Sequence, residues 1–531
     1  MKQYTLGIDF GTLSARAVAL DIETGAEAAQ AEFVYPHGVL DRQLPGGKTL
    51  PPMYALQHPK DYLDAIRAVC GQILQKIPKE QIIALGIDFT TATVLPVDEA
   101  GTPLCFLEAF IDEPHAYAKL WKHHGPVKQA EKLNRVAKAQ KAPWLVRCGD
   151  TISSEWLFPK ILETLEEAPT VFDRTYRFYE AGDWLNFILT GQETHNPCMA
   201  SLKGCWTEEL GYPTDDYFRA VEPRLAGIVG TKVSPKVNRV DEIAGKITKS
   251  GASLTGLQEG TQVAVAMGDC HAAMPALNVV RPGQAMVVIG TSGVILANTE
   301  KPKSVPGICA LTNGGVIPEV CTMEAGQAAL GDSFDWLVKT FGLSHQELTE
   351  KASRLKPGQS RLLALDWWSG NRSVLKNDGL SGLLIGLNLQ TRPEEIYRAL
   401  IESTAYGLRV IVENYEANGV SIGDICAAGG IALKNPMLMQ IYADVLGRTL
   451  TVSGCSQAGA RGCALYAAVA AGIFSDIQEA AEKNALPAVA TYSPIPENRE
   501  IYDKLFAEYK KLHDYFGREN PVMDTLAQLQ K

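Results

Sequence analysis

Near its start and again past its midpoint, the chain carries one construction: an apolar strand, a turn tipped by Gly-Thr, and an apolar return strand. In the first copy Tyr4, Leu6 and Ile8 alternate as in a strand. Asp9-Phe10-Gly11-Thr12-Leu13-Ser14 then turns, and residues 17–20 return. In the second copy residues 285–289 read as a buried strand, Gly290-Thr291-Ser292-Gly293 as the turn, and residues 294–296 as the return. A hairpin of this kind in each half predicts two related α/β units facing one cleft. The length of 531 residues agrees, because it exceeds one ordinary core.

Between the hairpins, strand and helix patterns alternate. His58-Pro59 opens a helix in which Leu63, Ile66, Val69, Cys70, Ile73 and Leu74 recur at helical spacing. Residues 82–87 read as a strand ending at Asp88-Phe89-Thr90-Thr91. Residues 110–250 are less regular and read as insertions that shape a pocket. A Gly/Ser/Thr-rich stretch at 250–260 is the expected boundary, giving units of 1–255 and 256–531. Beyond it Val263, Val265 and Met267 form a strand leading to Gly268-Asp269. Residues 400–415 predict a long helix and 425–428 a short strand. Gly429-Gly430 follows, then Asn435 as the N-cap of a helix over 438–446, with Pro436 at its first position. The Ala/Gly-rich run 459–473 predicts close packing against a neighbour.

Composition narrows the function. The net charge of −10 argues against a general nucleic-acid binder. The first residues lack the apolar segment of a signal peptide, and no apolar run has the length needed to cross a bilayer. Eleven cysteines, scattered singly without a CxxC pair, fit free thiols in a reducing cytoplasm and argue against zinc knuckles.

Several positions could carry chemistry, each with a plain structural alternative. The Gly-Thr tips offer backbone and hydroxyl donors for phosphates, or are ordinary turns. Asp9, at the end of the first strand, can hold Mg²⁺ or cap its own turn. Asp269, at a strand end and followed by small residues, can take a hydroxyl proton or cap a helix. Gly429-Gly430 can receive a flat base and ribose, or simply join strand to helix. His123-His124 are poor co-ligands, since neighbours on a helix face apart. Cys270 is a candidate nucleophile or a buried thiol.

In this order the segments resemble the FGGY family of carbohydrate kinases, within the actin-like ATPase superfamily. The matching residues are Gly7-Ile8-Asp9-Phe10-Gly11-Thr12, Gly268-Asp269, Gly290-Thr291-Ser292 and Ala428-Gly429-Gly430. Longer strings are similar to the L-ribulokinase branch: Leu56-Gln57-His58-Pro59, Asp88-Phe89-Thr90, the run from Pro114 to His124, Glu324-Ala325-Gly326-Gln327, Asp366 to Ser373, and Gly429 to Pro436. The resemblance implies an α/β fold of two actin-like ATPase (ribonuclease H-like) domains around a central cleft. Sugar would sit mainly on the first domain and ATP with Mg²⁺ mainly on the second. It implies a catalytic base at Asp269, phosphate loops at Gly11, Thr12, Gly290, Thr291 and Ser292, and an adenosine motif at Gly429, Gly430 and Asn435. Ala92, Lys203, Glu324 and Asp269 would border the sugar. The implied acceptor is L-ribulose, from L-arabinose breakdown; xylulose, ribitol and glycerol are the alternatives, and a non-catalytic nucleotide-dependent regulator is the rival outside kinases. A homodimer is compatible with this reading. The chain departs from the branch at Ala15, where a Gly is expected, and at Ser201-Leu202, where a Gly-Tyr pair is expected before Lys203.

Overall fold

Each hairpin seeds one sheet of seven strands in the computed structural model, which describes residues 2–529. In the first sheet Glu27–Val34, Ser14–Asp21 and Tyr4–Phe10 run antiparallel. Ile82–Phe89 then joins parallel to Tyr4–Phe10, and Gln262–Ala264 joins parallel to that. The second sheet repeats the pattern. Cys321–Gln327, Gly293–Thr299 and Ala285–Ile289 run antiparallel, followed by Ile425–Ala428 and Leu450–Ser453 in parallel. This shared order is the actin-like arrangement expected from the sequence. Its consequence is functional, because parallel strands bring their carboxyl ends to one edge, where ligands of open α/β sheets bind.

Two helices lie between the sheets. Asp269–Ala276 follows the first sheet directly, and Ala458–Ala470 comes from far along the chain. Alanine and glycine let them approach closely. A Cβ on Gly462 would fall 1.7 Å from the Ala272 carbonyl oxygen, and one on Gly7 would fall 1.7 Å from that of Ala460. Neither position tolerates a side chain without moving backbone. The largest apolar cluster includes Ala272 and Met274, Ala464 and Ala468, and Met286 and Leu296 of the second sheet. The crossing helices therefore hold the two units together.

Two expectations need correction. The stretch at 250–260 is not where the first unit ends: Thr248 caps helix Lys249–Thr255, left-handed Gly256 ends it, and Gln262–Ala264 and Met267–Gly268 both join the first sheet. The segment after 255 thus contributes strands to the first unit, and its small polar residues serve caps and a turn. The strand expected through Val263, Val265 and Met267 is broken into these two pieces, with the Val265 N–H turned to the Glu242 carbonyl at 3.1 Å.

Candidate active site

At the carboxyl edge of the first sheet, three acidic residues are brought together by register alone. Asp9 pairs with Asp88, and Met267-Gly268 pair with Asp88-Phe89, so Asp269 begins its helix beside them. Asp88 is fully buried; its Oδ2 accepts from the Cys463 thiol at 3.0 Å, while its Oδ1 has no protein partner. Burial and then the charge of Asp9 hold Asp88 well above the usual carboxylate range, and burial raises Asp9 as well. Two like charges in one buried site oppose each other's ionisation. The amino end of helix Ala458–Ala470 abuts them: a Cβ on Gly459 would lie 3.1 Å from Asp88 Oδ2 and 3.2 Å from Asp9 Cγ. Its backbone dipole favours negative charge there.

Asp269 is the first residue of its helix, with Gly268 as the N-cap, so the capping alternative does not hold. Its Oδ1 accepts the Cys270 N–H at 2.8 Å. Burial, then Asp9, pushes the carboxyl up to about 6.

Asp9 and Asp88 offer carboxylate oxygens, and one of them, the buried Asp88 Oδ1, lacks a partner. That set fits Mg²⁺, which binds through one or two carboxylates and completes its shell with water and phosphate. Among the described residues no group of three or more His, Cys, Asp or Glu is arranged to hold a metal by protein ligands alone.

The second part of the site joins the units. Lys203, in the last turn of helix Pro197–Gly204, is 6% exposed and donates to Glu324 Oε1 at 2.7 Å. Burial favours the neutral amine, but the Glu324 carboxylate outweighs it and holds Lys203 above its ordinary value. Burial would likewise raise Glu324; Lys203 and His271 override it and hold Glu324 well below the usual range. Glu324 Oε2 lies 3.2 Å from His271 Nε2, out of line for a hydrogen bond, so the contact is a charge contact. Lys203 is thus no solvated side chain. Arg372 approaches Glu155 at 3.4 Å beyond this pair.

Ala92 has a left-handed φ of 54° and almost no exposure. The methyl of its neighbour Thr91 would meet a Cβ on Gly268 at 3.0 Å, so this turn packs directly against the start of the Asp269 helix. Ser201 and Leu202 are buried in helix packing, with the Ser201 hydroxyl donating to the Pro197 carbonyl at 2.7 Å. Trp206 lines a separate small crevice with Arg147 and Glu208.

The second sheet borders a cavity of about 840 Å³, lined by Gly290, Thr291, Phe334, Tyr397, Gly430 and Asn435. Gly290-Thr291 and Gly429-Gly430 meet there because their strands are parallel neighbours, with Val288 opposite Ala428. Gly429 adopts φ 102° and packs so tightly that a Cβ would come 2.4 Å from the Ile289 carbonyl oxygen. Asn435 is the expected N-cap, its Oδ1 accepting the Leu438 N–H at 3.0 Å at the start of helix Pro436–Leu446, and the residue also borders the cavity. Ser292 lies in the turn, where its carbonyl accepts the Gly290 N–H at 3.1 Å. In the first tip the Gly11 N–H donates to the Ser14 carbonyl at 3.0 Å. Trp121 Nε1 donates to Thr12 Oγ1 at 3.2 Å, leaving that hydroxyl's own proton free.

The remaining candidates resolve as structure. His123 is buried against Glu163 at 2.9 Å, whereas His124 faces Glu155 at 3.7 Å, so they share no ligand. Burial pushes the Cys270 thiol up, and it sits 3.3 Å from His271 Nδ1. Sequence reasoning missed His271, the pairing of Asp88 with Asp9, and Lys160, which donates to the Ala92 carbonyl at 2.5 Å. Only Lys160 left a local signal: it is a lysine inside the apolar string Leu157-Phe158-Pro159-Lys160-Ile161-Leu162.

Comparison with known proteins agrees with this geometry. Residues 4–275 match the N-terminal domain, and residues 285–471 the C-terminal domain, of the FGGY family of carbohydrate kinases. Among curated proteins, a ribulokinase from Bacillus licheniformis is 45% identical over 538 residues, covering 98% of both chains. One from Mycolicibacterium smegmatis is 40% identical, covering 99% of this chain and 96% of that protein. Among solved structures, xylulose kinase from Rhodospirillum rubrum superposes with a TM-score of 0.84 at 22% identity, covering 98% of this chain and all of that one. Plasmodium falciparum glycerol kinase with ADP gives 0.77 at 17% identity, over 96% and 98%.

Proposed function

Because the chain belongs to the FGGY family of carbohydrate kinases, we propose that it moves the γ-phosphoryl group of ATP onto the terminal hydroxyl of L-ribulose, giving L-ribulose 5-phosphate. The observation that carries this reading is the identity of 40–45% to ribulokinases along nearly the full length of both chains.

The side chains support a simple division of work. Asp269 takes the proton as the sugar oxygen attacks phosphorus. A value near 6 leaves it ionised at neutral pH yet more basic than an exposed carboxylate. Lys203 donates to the sugar carbonyl or hydroxyls and Glu324 accepts from them. With no sugar they satisfy each other, which spares a buried charge from standing unpaired. Ala92 keeps the floor small. The 840 Å³ cavity takes the adenosine end of ATP, with Gly430 and Asn435 beneath it and Gly290-Thr291 toward the phosphates. Asp9 and Asp88 would hold Mg²⁺ directly or through water, and the ion would neutralise charge on the β- and γ-phosphates. Closing the units over the sugar keeps out water, which would otherwise receive the phosphoryl group.

No helix among the described residues is long and apolar enough to cross a membrane. The reading places the enzyme in the cytoplasm, where ATP is found and free cysteines persist. Its partner is the small sugar, with no nucleic acid or membrane, and it is compatible with a homodimer.

The test is coupled ADP release across L-ribulose, D-xylulose, ribitol and glycerol, with the phosphorylated carbon located by NMR. The expected result is the highest kcat/KM with L-ribulose and phosphate on carbon 5. An equal or higher value with another acceptor overturns the sugar assignment.

A further inference from the structure

Helix Leu157–Glu167 is buried from Leu157 to Leu165, and among those residues is Lys160, only 1% exposed. An ammonium removed from water is costly unless its protons find acceptors. Lys160 Nζ finds three, all main-chain oxygens: Ala92 at 2.5 Å, Leu120 at 2.9 Å and Lys119 at 3.3 Å. Ala92 belongs to the turn that packs on Gly268, immediately before Asp269. It is an alanine held at φ 54°, a conformation that persists only where the surroundings impose it. The same turn is tied by a Thr90–Thr93 hydroxyl contact at 2.7 Å and by the Thr90 N–H to the Phe10 carbonyl at 3.1 Å.

A second layer fixes Lys160 itself. One turn along the helix, Glu163 Oε2 accepts from Lys119 Nζ at 2.6 Å and lies 2.9 Å from His123 Nε2. Lys119 Nζ also donates to Thr164 Oγ1 at 2.7 Å and to the Lys160 carbonyl at 3.0 Å. Lys119 and His123 come from the string Pro114 to His124, whose Trp121 also reaches the Thr12 hydroxyl.

We propose that Lys160 is a positioning residue for sugar recognition, holding the 90–93 turn in the shape that sets Ala92 against the sugar, and that the 114–124 string serves to lock Lys160 in place. This rests on the reading that Ala92 borders the sugar. A purely structural lysine would affect the sugar and nucleotide sites alike; a positioning lysine affects the sugar site selectively.

The experiment measures KM for L-ribulose and for ATP, kcat, and ADP affinity by calorimetry, in the wild type and in Lys160→Met, which keeps length and removes the donors. Loss of the bond to the Ala92 carbonyl, together with those to Leu120 and Lys119, is expected to raise the sugar KM at least about tenfold while the ATP KM and ADP affinity stay within about twofold. An unchanged sugar KM, or sugar and ATP KM rising together, overturns the proposal. If Lys160→Met binds no ADP and so has not folded, Glu163→Gln decides instead. A selective rise in sugar KM of about threefold or more supports the proposal, and no rise overturns it. A wild type without L-ribulose-dependent turnover overturns the sugar assignment rather than the role of Lys160.

Discussion

Lys203 and Glu324, 121 residues apart and on different units, meet at 2.7 Å. Removing one partner of a buried pair leaves the other charge uncompensated, at about 3–5 kcal/mol where burial is complete. Lys203→Met and Glu324→Gln should each lower kcat/KM for the sugar at least about a hundredfold. The double variant should lose less than the product of the two, with a coupling of about 1–3 kcal/mol. Additive losses in the cycle would mean that the residues act separately.

As the proposed base, Asp269 should set the acid limb of the pH profile. Only its ionised form accepts a proton, and burial with Asp9 raises it to about 6. Log kcat/KM for the sugar should be flat near pH 7 and fall by about one per pH unit below 6. A rate that holds constant down to pH 5 contradicts that assignment.

The same shift predicts a gain in stability on removing the charge. The folded state holds the Asp269 proton more tightly than the unfolded chain, whose value is near 3.8. Ionisation therefore penalises the fold, fully above pH 6, less between 6 and 3.8, and not at all below. Asp269→Asn should be more stable than wild type by about 1–3 kcal/mol at pH 7, with the advantage vanishing toward pH 3.5. Denaturant unfolding at the two pH values checks this, and an advantage independent of pH would assign the gain to something other than charge.

His271 holds Glu324 from behind at 3.2 Å. His271→Leu and His271→Gln, neither of which carries a charge, should each raise the sugar KM by about tenfold and leave the ATP KM unchanged. A Gln variant that keeps the wild-type KM would point to shape rather than charge.

Local pattern made the fold's skeleton readable: the two Gly-Thr hairpins, the strand before Asp88, and the helix behind Asn435 each depend on neighbours in sequence. Asp269 was legible for the same reason, standing at a strand end before small residues. The pairings were not. Lys203 with Glu324 and Asp9 with Asp88 depend on strand register and on the approach of distant segments, which periodicity does not encode. The 250–260 stretch misled because capping residues and linkers share a composition. His271 looked like one more residue of a short helix, and its role comes from a strand more than fifty residues later. Ser201 and Leu202 depart from the expected Gly-Tyr pair, and both are buried.

The central claim is that Asp269 is the base of phosphoryl transfer, and its most direct test is the turnover of Asp269→Asn with L-ribulose and ATP, measured alongside sugar and ADP binding. The account predicts retained binding of both ligands and a kcat at least about a hundredfold lower. Turnover within about tenfold of wild type, with binding intact, contradicts it.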